Sequence, residues 1–279
     1  MTNDPRQRWR LIVARDKPAR DLVHRDVTAA WEAGLRGAGL PIAMTETATP
    51  RPRISFAAPA PFGMLAEREL IDVVLTEFLL MSEVRSAVEA AAPVGYRCVD
   101  LYDVWLGSPT LAALVSAADI RATVTTGAAG GPRAGEGPIV GELARVEDAD
   151  ATPSDAAPLD AAESEAAVRA LLDVPRIEVV RAKGQGEITV DTRPHIHRLA
   201  LAARPVVESG GTGSAAAGGR VSGASGTTFE LRMRLRLGGE GGVGRPEEVV
   251  AALGERLGRR LVATRVVRER IVLADDPAD

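Results

Sequence analysis

The chain has 279 residues and a net charge of −4; 46% of it is apolar, but 47 residues are alanine, so large apolar side chains make up well under a third. Its one cysteine, Cys98, excludes an internal disulfide and a four-thiolate zinc or iron–sulfur centre. No run approaches the roughly 18 apolar residues that cross a bilayer, and the first residues hold no hydrophobic run for a signal peptide, so a cytoplasmic protein without a membrane partner is expected.

In chain order, Trp9 to Ala14 alternates as a strand. Val23, Val27, Trp31 and Leu35 then recur every fourth residue, which predicts an amphipathic helix ending near Gly37 and Gly39. Strands are expected at Arg53 to Ala57 and Leu70 to Leu75. A helix follows from Ser82, a candidate N-cap, to the stop at Pro93-Val94-Gly95. A strand over Tyr96 to Trp105, a short helix capped by Ser108 with Pro109 at its first position, and a strand at Ile120 to Thr125 complete the first part. The succession β-α-β-β-α-β predicts an α+β domain over 1–126, a ferredoxin-like sandwich with helices on one face of an antiparallel sheet. Eight of the nine aromatics precede residue 106, so the best-packed core belongs here.

Residues 127–174 hold 3 basic and 10 acidic groups with few large apolar residues. They read as an acidic flexible linker, closed by a short helix from about Ala161 to Leu172. Residues 175–274 read as a second, smaller, basic α+β domain that echoes the first order of elements. The expected elements are a strand at Arg176 to Ala182, a turn at Gly184-Gln185-Gly186, a short strand at Glu187 to Val190 and an irregular piece at Arg193 to His197. Strands at Leu199 to Val207 and Phe229 to Leu237, a helix at Pro246 to Leu257 and a strand at Leu261 to Leu273 follow. A Gly/Ser-rich insertion at 209–227 is tolerable, since loop closure costs only about 0.6 kcal/mol per doubling of length.

Four segments offer chemistry. The first is the helix entrance from Pro18 to Asp26, where His24 and Asp26 stand two apart and so do not face each other on a helix. It reads either as a polar helix start or as a ligand contact through His24. The second, Pro50 to Gly63, puts Arg51, Arg53, Ser55 and Phe56 on a stiff, basic, proline-flanked strand that suits a phosphate-bearing chain, or only protects a sheet edge. The third holds Asp191, Arg193, His195 and His197; if extended, both histidines share a side, as metal ligands would, against an Asp–Arg turn with surface histidines. The fourth, Leu237 to Glu248, is glycine-rich, but Glu247 and Glu248 at the positive end of the next helix would repel a phosphate. No Ser nucleophile elbow, no Cys beside a base and no tight carboxylate pair stands out.

Taken in order, Pro-Ala-Arg-x-Leu-x-His-x-Asp from Pro18, Pro-Arg-Ile-Ser-Phe-Ala-x-Pro-x-Pro-x-Gly from Pro52, Glu-x-x-Asp-Val-x-Leu-Thr from Glu69, Asp-x-Arg-Pro from Asp191 and Arg-Pro-Glu-Glu-Val from Arg245 resemble a family. It is the radical SAM-associated (radical SAM-linked) bacterial domain of unknown function. In that family the domain is fused after a cobalamin-binding radical SAM protein or is a separate polypeptide beside one. Members commonly read Phe-Leu-Ser-His-Leu-Asp where this chain has Asp21-Leu22-Val23-His24-Arg25-Asp26. They commonly carry Gly-Phe-Asn-Pro-His-Pro before the strand where this chain has Glu46 to Pro52. His24, Asp26, Arg53, Ser55, Asp191 and Arg193 match the pattern.

The resemblance implies an accessory or substrate-presenting protein, with a radical SAM enzyme as partner and with no cofactor or metal of its own. The basic C-terminal part and the Arg51/Arg53 strand point to RNA or another anionic macromolecule. A stand-alone RNA-binding module is the alternative, and a hydrolase or nuclease using His24 with Asp26 or Asp191 is a third.

Overall fold

The structure is a computed structural model that describes residues 4–126, 161–184, 186–202, 228–239 and 242–276. Most of the expected acidic linker, 127–160, and the expected insertion, 209–227, lie outside the described residues. The class is α+β, and the chain divides into two compact units. The first comprises 1–120, 236–243 and 267–279; the second comprises 121–235 and 244–266.

The first unit opens with β1 (Gln7–Arg15), α1 (His24–Gly37), β2 (Ile54–Phe56), β3 (Leu65–Leu75), α2 (Met81–Ala91) and β4 (Tyr96–Asp103). Strand β1 pairs antiparallel with β3 on one side and with β4 on the other, and β2 lies antiparallel on β3. Every β1 residue is buried, because its odd and even positions serve two different cores. Trp9, Leu11 and Val13 meet Val27, Trp31 and Leu35 of α1 and Val84, Val88 and Ala91 of α2. Ile12 and Leu70 instead face Leu111, Val115, Ile271 and Leu273. The helices cross at Gly34, where an added Cβ would stand 2.2 Å from the Ala91 carbonyl oxygen.

Three local expectations shift. Helix α2 starts one residue before Ser82, its N-cap position is Leu80, and Glu83 reaches back to accept from the Leu80 N–H at 2.7 Å. The short helix α3 is Leu111–Leu114, not a helix from Ser108. Ser108 and Pro109 lend their carbonyls to Arg8 at 3.0 Å each and stay outside it. Strand β2 keeps three residues, because β10 (Leu261–Leu273) takes the start of β3's outer edge, pairing parallel through Val267 with Leu65 and Arg268 with Ala66. Strand β5 (Val115–Thr126) begins in the first unit, where Ser116 Oγ donates to the Val272 carbonyl at 3.0 Å.

In the second unit, α4 (Ala161–Asp173) buries Ala167, Val168 and Leu171, and packs on β8 (Ile196–Leu201) and α5 (Pro246–Arg256). Strand β9 (Thr228–Arg236) pairs antiparallel with β8 and alternates buried Phe229, Leu231, Met233 and Leu235 with more open residues. Strands β6 (Glu178–Lys183) and β7 (Gly186–Asp191) form a separate two-stranded sheet, so the second half has its own strand arrangement.

Candidate functional site

At the end of β1 the side chain of Arg15 is 2% exposed, yet no carboxylate pairs with it in a hydrogen bond. Its guanidinium donates instead to the carbonyls of Ala19, Arg20 and Leu22 at 3.0, 3.0 and 2.8 Å, and to that of Ala60 at 2.8 Å. It thereby joins the Pro18–Asp26 segment to the Pro50–Gly63 segment, and the Gly63 N–H closes the junction on the Arg20 carbonyl at 3.0 Å. The chemistry follows from composition: Pro59 and Pro61 remove donors from the loop, so it holds more carbonyls than N–H groups. Buried arginines supply the missing donors. Arg268, 1% exposed, gives Nη2 to the Ala58 carbonyl at 2.6 Å and Nε to Glu69 Oε1 at 2.7 Å, with a second contact to Glu69 Oε2. On the other side Gly95, at φ +82°, lets the chain pass close to Ala19, whose nitrogen would stand 2.5 Å from an added Cβ.

At this junction a small cleft is lined by Val13, Val27, Ile71, Phe56 and Tyr96 together with Arg15, Glu69 and His24. It has a volume of about 20 Å³, which is room for one water. His24 is the first residue of α1; its ring stands edge-on to Phe56 at 5.6 Å and 83°, and Nδ1 faces Thr28 Oγ1 at 3.4 Å. Tyr96 packs edge-on against Trp31 at 5.7 Å, and burial pushes its phenol up to about 12. Asp26 does not meet His24; its carboxylate lies 3.4 Å from Arg25 Nε in solvent.

Arg51, Arg53 and Ser55 are exposed, whereas the alternate residues Pro52, Ile54 and Phe56 turn inward. Ser55 is in register with Asp72, Asp72 with Arg10, and Arg10 with Tyr102, so one polar row crosses the sheet on the face away from α1 and α2. Asp72 is 1% exposed and is shared by two guanidiniums: Arg8 Nε at 2.8 Å, and Arg10 Nε at 2.8 Å with Nη2 at 3.1 Å. Burial opposes the charge on Arg10, but the bonds to Asp72 and Tyr102 outweigh it and hold the pKa above its ordinary value. Two cations on one anion leave this row with a surplus positive charge.

The remaining expected residues sit in the second unit as joints of its chain. Asp191 Oδ1 accepts the Ile177 and Arg193 N–H groups at 2.9 and 3.1 Å; burial opposes its charge, but these bonds outweigh it and lower the pKa. Arg193 caps the end of α4 through the Leu172 carbonyl at 2.7 and 3.0 Å and reaches the Ile196 carbonyl at 3.1 Å. His195 lies in a 3-10 turn, Arg193–His195, rather than in an extended stretch. It is 3% exposed while His197 is exposed, so the two do not share a side as a metal pair would. Among the described residues no three His, Cys, Asp or Glu side chains converge.

Sequence reasoning passed over the buried charges Arg8, Arg10, Arg15 and Arg268, and met Glu69 and Asp72 only as positions of a motif. It also passed over Arg181, which grips Glu248 at 2.6 and 2.8 Å while Thr192 Oγ1 donates to the same carboxylate at 3.0 Å. One signal was available in Arg8-Trp9-Arg10-Leu11, where charges alternate with apolar residues in a strand that lacks a solvent face.

A comparison with curated proteins returns no match. A family model described as "Uncharacterized protein conserved in bacteria (DUF2344)" matches residues 8–223, which include Arg15, His24, the Arg51–Phe56 segment and the Asp191–His195 segment. With most of its length under that model, the chain belongs to this conserved bacterial family of uncharacterized proteins.

Proposed function

We propose that this chain is a non-catalytic partner of a cobalamin-binding radical SAM enzyme, and that it holds or presents an RNA substrate. The observation that carries the reading is the state of the charged groups around the cleft. Three of the segments that carry the family resemblance, those from Pro18, Pro52 and Glu69, meet there, and the buried charged groups beside the cleft are engaged in holding the chain: Arg15 on backbone carbonyls, Arg268 on Glu69 and Ala58. Such groups build a rigid surface. General acid–base or nucleophilic work needs a group free to exchange a proton or attack. The anionic substrate is supported by the exposed Arg51 and Arg53 and by the surplus positive charge beneath Ser55.

Anaerobic co-expression with a radical SAM protein encoded beside this chain, followed by affinity capture, tests the reading. The two are expected to co-purify in a fixed ratio that survives gel filtration. Separation of the two under anaerobic conditions overturns the partnership.

A further inference from the structure

We infer that the open sheet face of the second unit, formed by β5 from Arg121 onward, β9 and β8, binds the phosphate backbone of a double-helical RNA segment. The inference rests on the RNA reading above and assigns it a surface and a mode of recognition.

Strand alternation separates the two sides of this sheet. Phe229, Leu231, Met233 and Leu235 of β9 are buried on one side, with Leu199 of β8 opposite Met233, and α4 packs on β8. The positions between them turn the other way. Glu230, Arg232 and Arg234 are half-buried or exposed, as are Arg198 on β8 and Arg121 on β5, which faces Glu230. None of these positions is buried, so this side is a surface along its length.

Its charge is one-sided. The described strand positions on this side carry four arginines, Arg121, Arg198, Arg232 and Arg234, against one acid, Glu230. That acid is already shared: Arg232 Nε donates to Glu230 Oε1 at 3.3 Å, and Arg121 Nη1 lies 3.7 Å from Oε2. Arg198 and Arg234 stand in register, directly opposite each other on antiparallel strands. Like charges so placed destabilise a sheet. An anion above the pair turns that repulsion into attraction, and the planar fork of arginine matches phosphate oxygens. Arg232 is about 7 Å from Arg234 along β9, and Arg198 is one strand spacing of about 4.8 Å away, so the guanidiniums can reach neighbouring phosphates of one strand.

The kind of nucleic acid follows from what the side lacks. Its other described members are Ala200 and the threonines Thr123, Thr125 and Thr228, with no aromatic ring on which an unpaired base could stack. Arginine and threonine contacts to phosphate position a nucleic acid without reading its bases. A duplex offers the denser array of phosphates, and an A-form helix is recognised through its shape and backbone.

The test is fluorescence anisotropy of the full chain with a labelled RNA duplex of about 16 base pairs across a salt series, beside one of its strands alone. Wild type is expected to bind the duplex at least as tightly as the single strand. Arg198→Thr with Arg232→Thr should weaken duplex binding about tenfold and reduce the log–log salt slope by roughly 1.8, for two phosphate contacts at about 0.9 each. Both side chains are exposed. Arg198→Lys with Arg232→Lys keeps the charges and should stay within about threefold of wild type with the same slope. Arg198→Thr alone also removes the opposed pair, so it should raise the urea midpoint of the free chain while it lowers affinity for the duplex. A residue kept only for the fold would not move the two in opposite directions. Wild-type affinity or an unchanged slope in the double threonine variant, tighter binding of the single strand, or a lowered midpoint in Arg198→Thr overturns the inference. So does loss of co-purification with the radical SAM enzyme in the double threonine variant while RNA binding persists, which makes the face a protein interface. Absence of any RNA binding by wild type strikes the RNA reading itself, whereas binding that survives the variant strikes only this surface.

Discussion

Arg15 and Ala60 stand 45 residues apart in the chain, yet Arg15 Nη1 donates to the Ala60 carbonyl at 2.8 Å inside the first unit. This contact fastens a proline-rich loop to the strand that precedes α1. A buried arginine that serves carbonyls balances a shortage of backbone donors, so its removal strands several acceptors at once. Arg15→Met is therefore expected to cost about 3 kcal/mol or more, since each buried unsatisfied group costs about 1–3 kcal/mol. Arg15→Lys should recover only part, because an ammonium lacks the planar fork that reaches both segments. Urea denaturation followed by circular dichroism measures both.

The shared carboxylate gives a second expectation. Asp72→Asn leaves Arg8 and Arg10 buried without a counter-charge, and loss of one partner of a buried ion pair costs about 3–5 kcal/mol. A midpoint of unfolding within error of wild type would disprove this account of the row.

Helix contact makes a third. Alanine normally gains about 1 kcal/mol over glycine inside a helix. At Gly34 the sign should reverse, because the new Cβ meets the Ala91 carbonyl oxygen at 2.2 Å and α1 and α2 must move apart. Gly34→Ala is expected to lower Tm by several degrees, in keeping with a net loss of about 1–3 kcal/mol. A raised Tm would show that the helices tolerate the separation.

Tyr96 sets a dependence on alkaline pH. Its phenol is pushed up to about 12 in the folded chain, mainly by burial, against about 10 when unfolded. A raised folded pKa means that the stabilisation is fully present below pH 10. It is lost as pH rises from 10 through 12, because the unfolded chain releases the proton first. The ring is partly exposed, so solvent screening reduces the effect to the order of 1–2 kcal/mol. Ultraviolet titration should show a late phenolate transition that Tyr96→Phe abolishes.

In the second unit Arg181 anchors the β6–β7 hairpin. A two-stranded hairpin is marginal alone, and Arg181 ties this one to Glu248 at the start of α5. Glu248→Gln should speed hydrogen exchange across Val179 to Val190 and leave the protection of β1 and β3 unchanged. Equal exchange in the variant would place the anchor elsewhere.

Much of the backbone was legible beforehand. The four-residue recurrence of Val27, Trp31 and Leu35 marked α1, Pro93-Val94-Gly95 marked the stop after α2, and Pro246 marked the start of α5. Each is a local signal, written within one turn or one strand. The failures had long-range causes: Ser108 and Pro109 look like a helix start until Arg8, a hundred residues earlier, takes their carbonyls. The candidate site was half legible. His24 and Phe56 were singled out separately, and the structure brings their rings within 5.6 Å. Asp191 and Arg193 were singled out as chemistry, and the structure uses both to tie backbone together.

The opening composition bears differently on the two levels. One cysteine, a run-free apolar pattern and an early cluster of aromatics are properties of the chain itself, and they excluded a resident cluster and a spanning helix before any contact was known. Which arginines are solvated and which are buried could not be read from composition or from periodicity. That partition depends on which carbonyls and carboxylates lie within about 3 Å, and the partners that join separate segments lie 45 to 210 residues away. Local pattern decided the elements. Long-range hydrogen bonding decided that Arg15 and Arg268 hold the fold together while Arg51 and Arg53 remain available to a ligand.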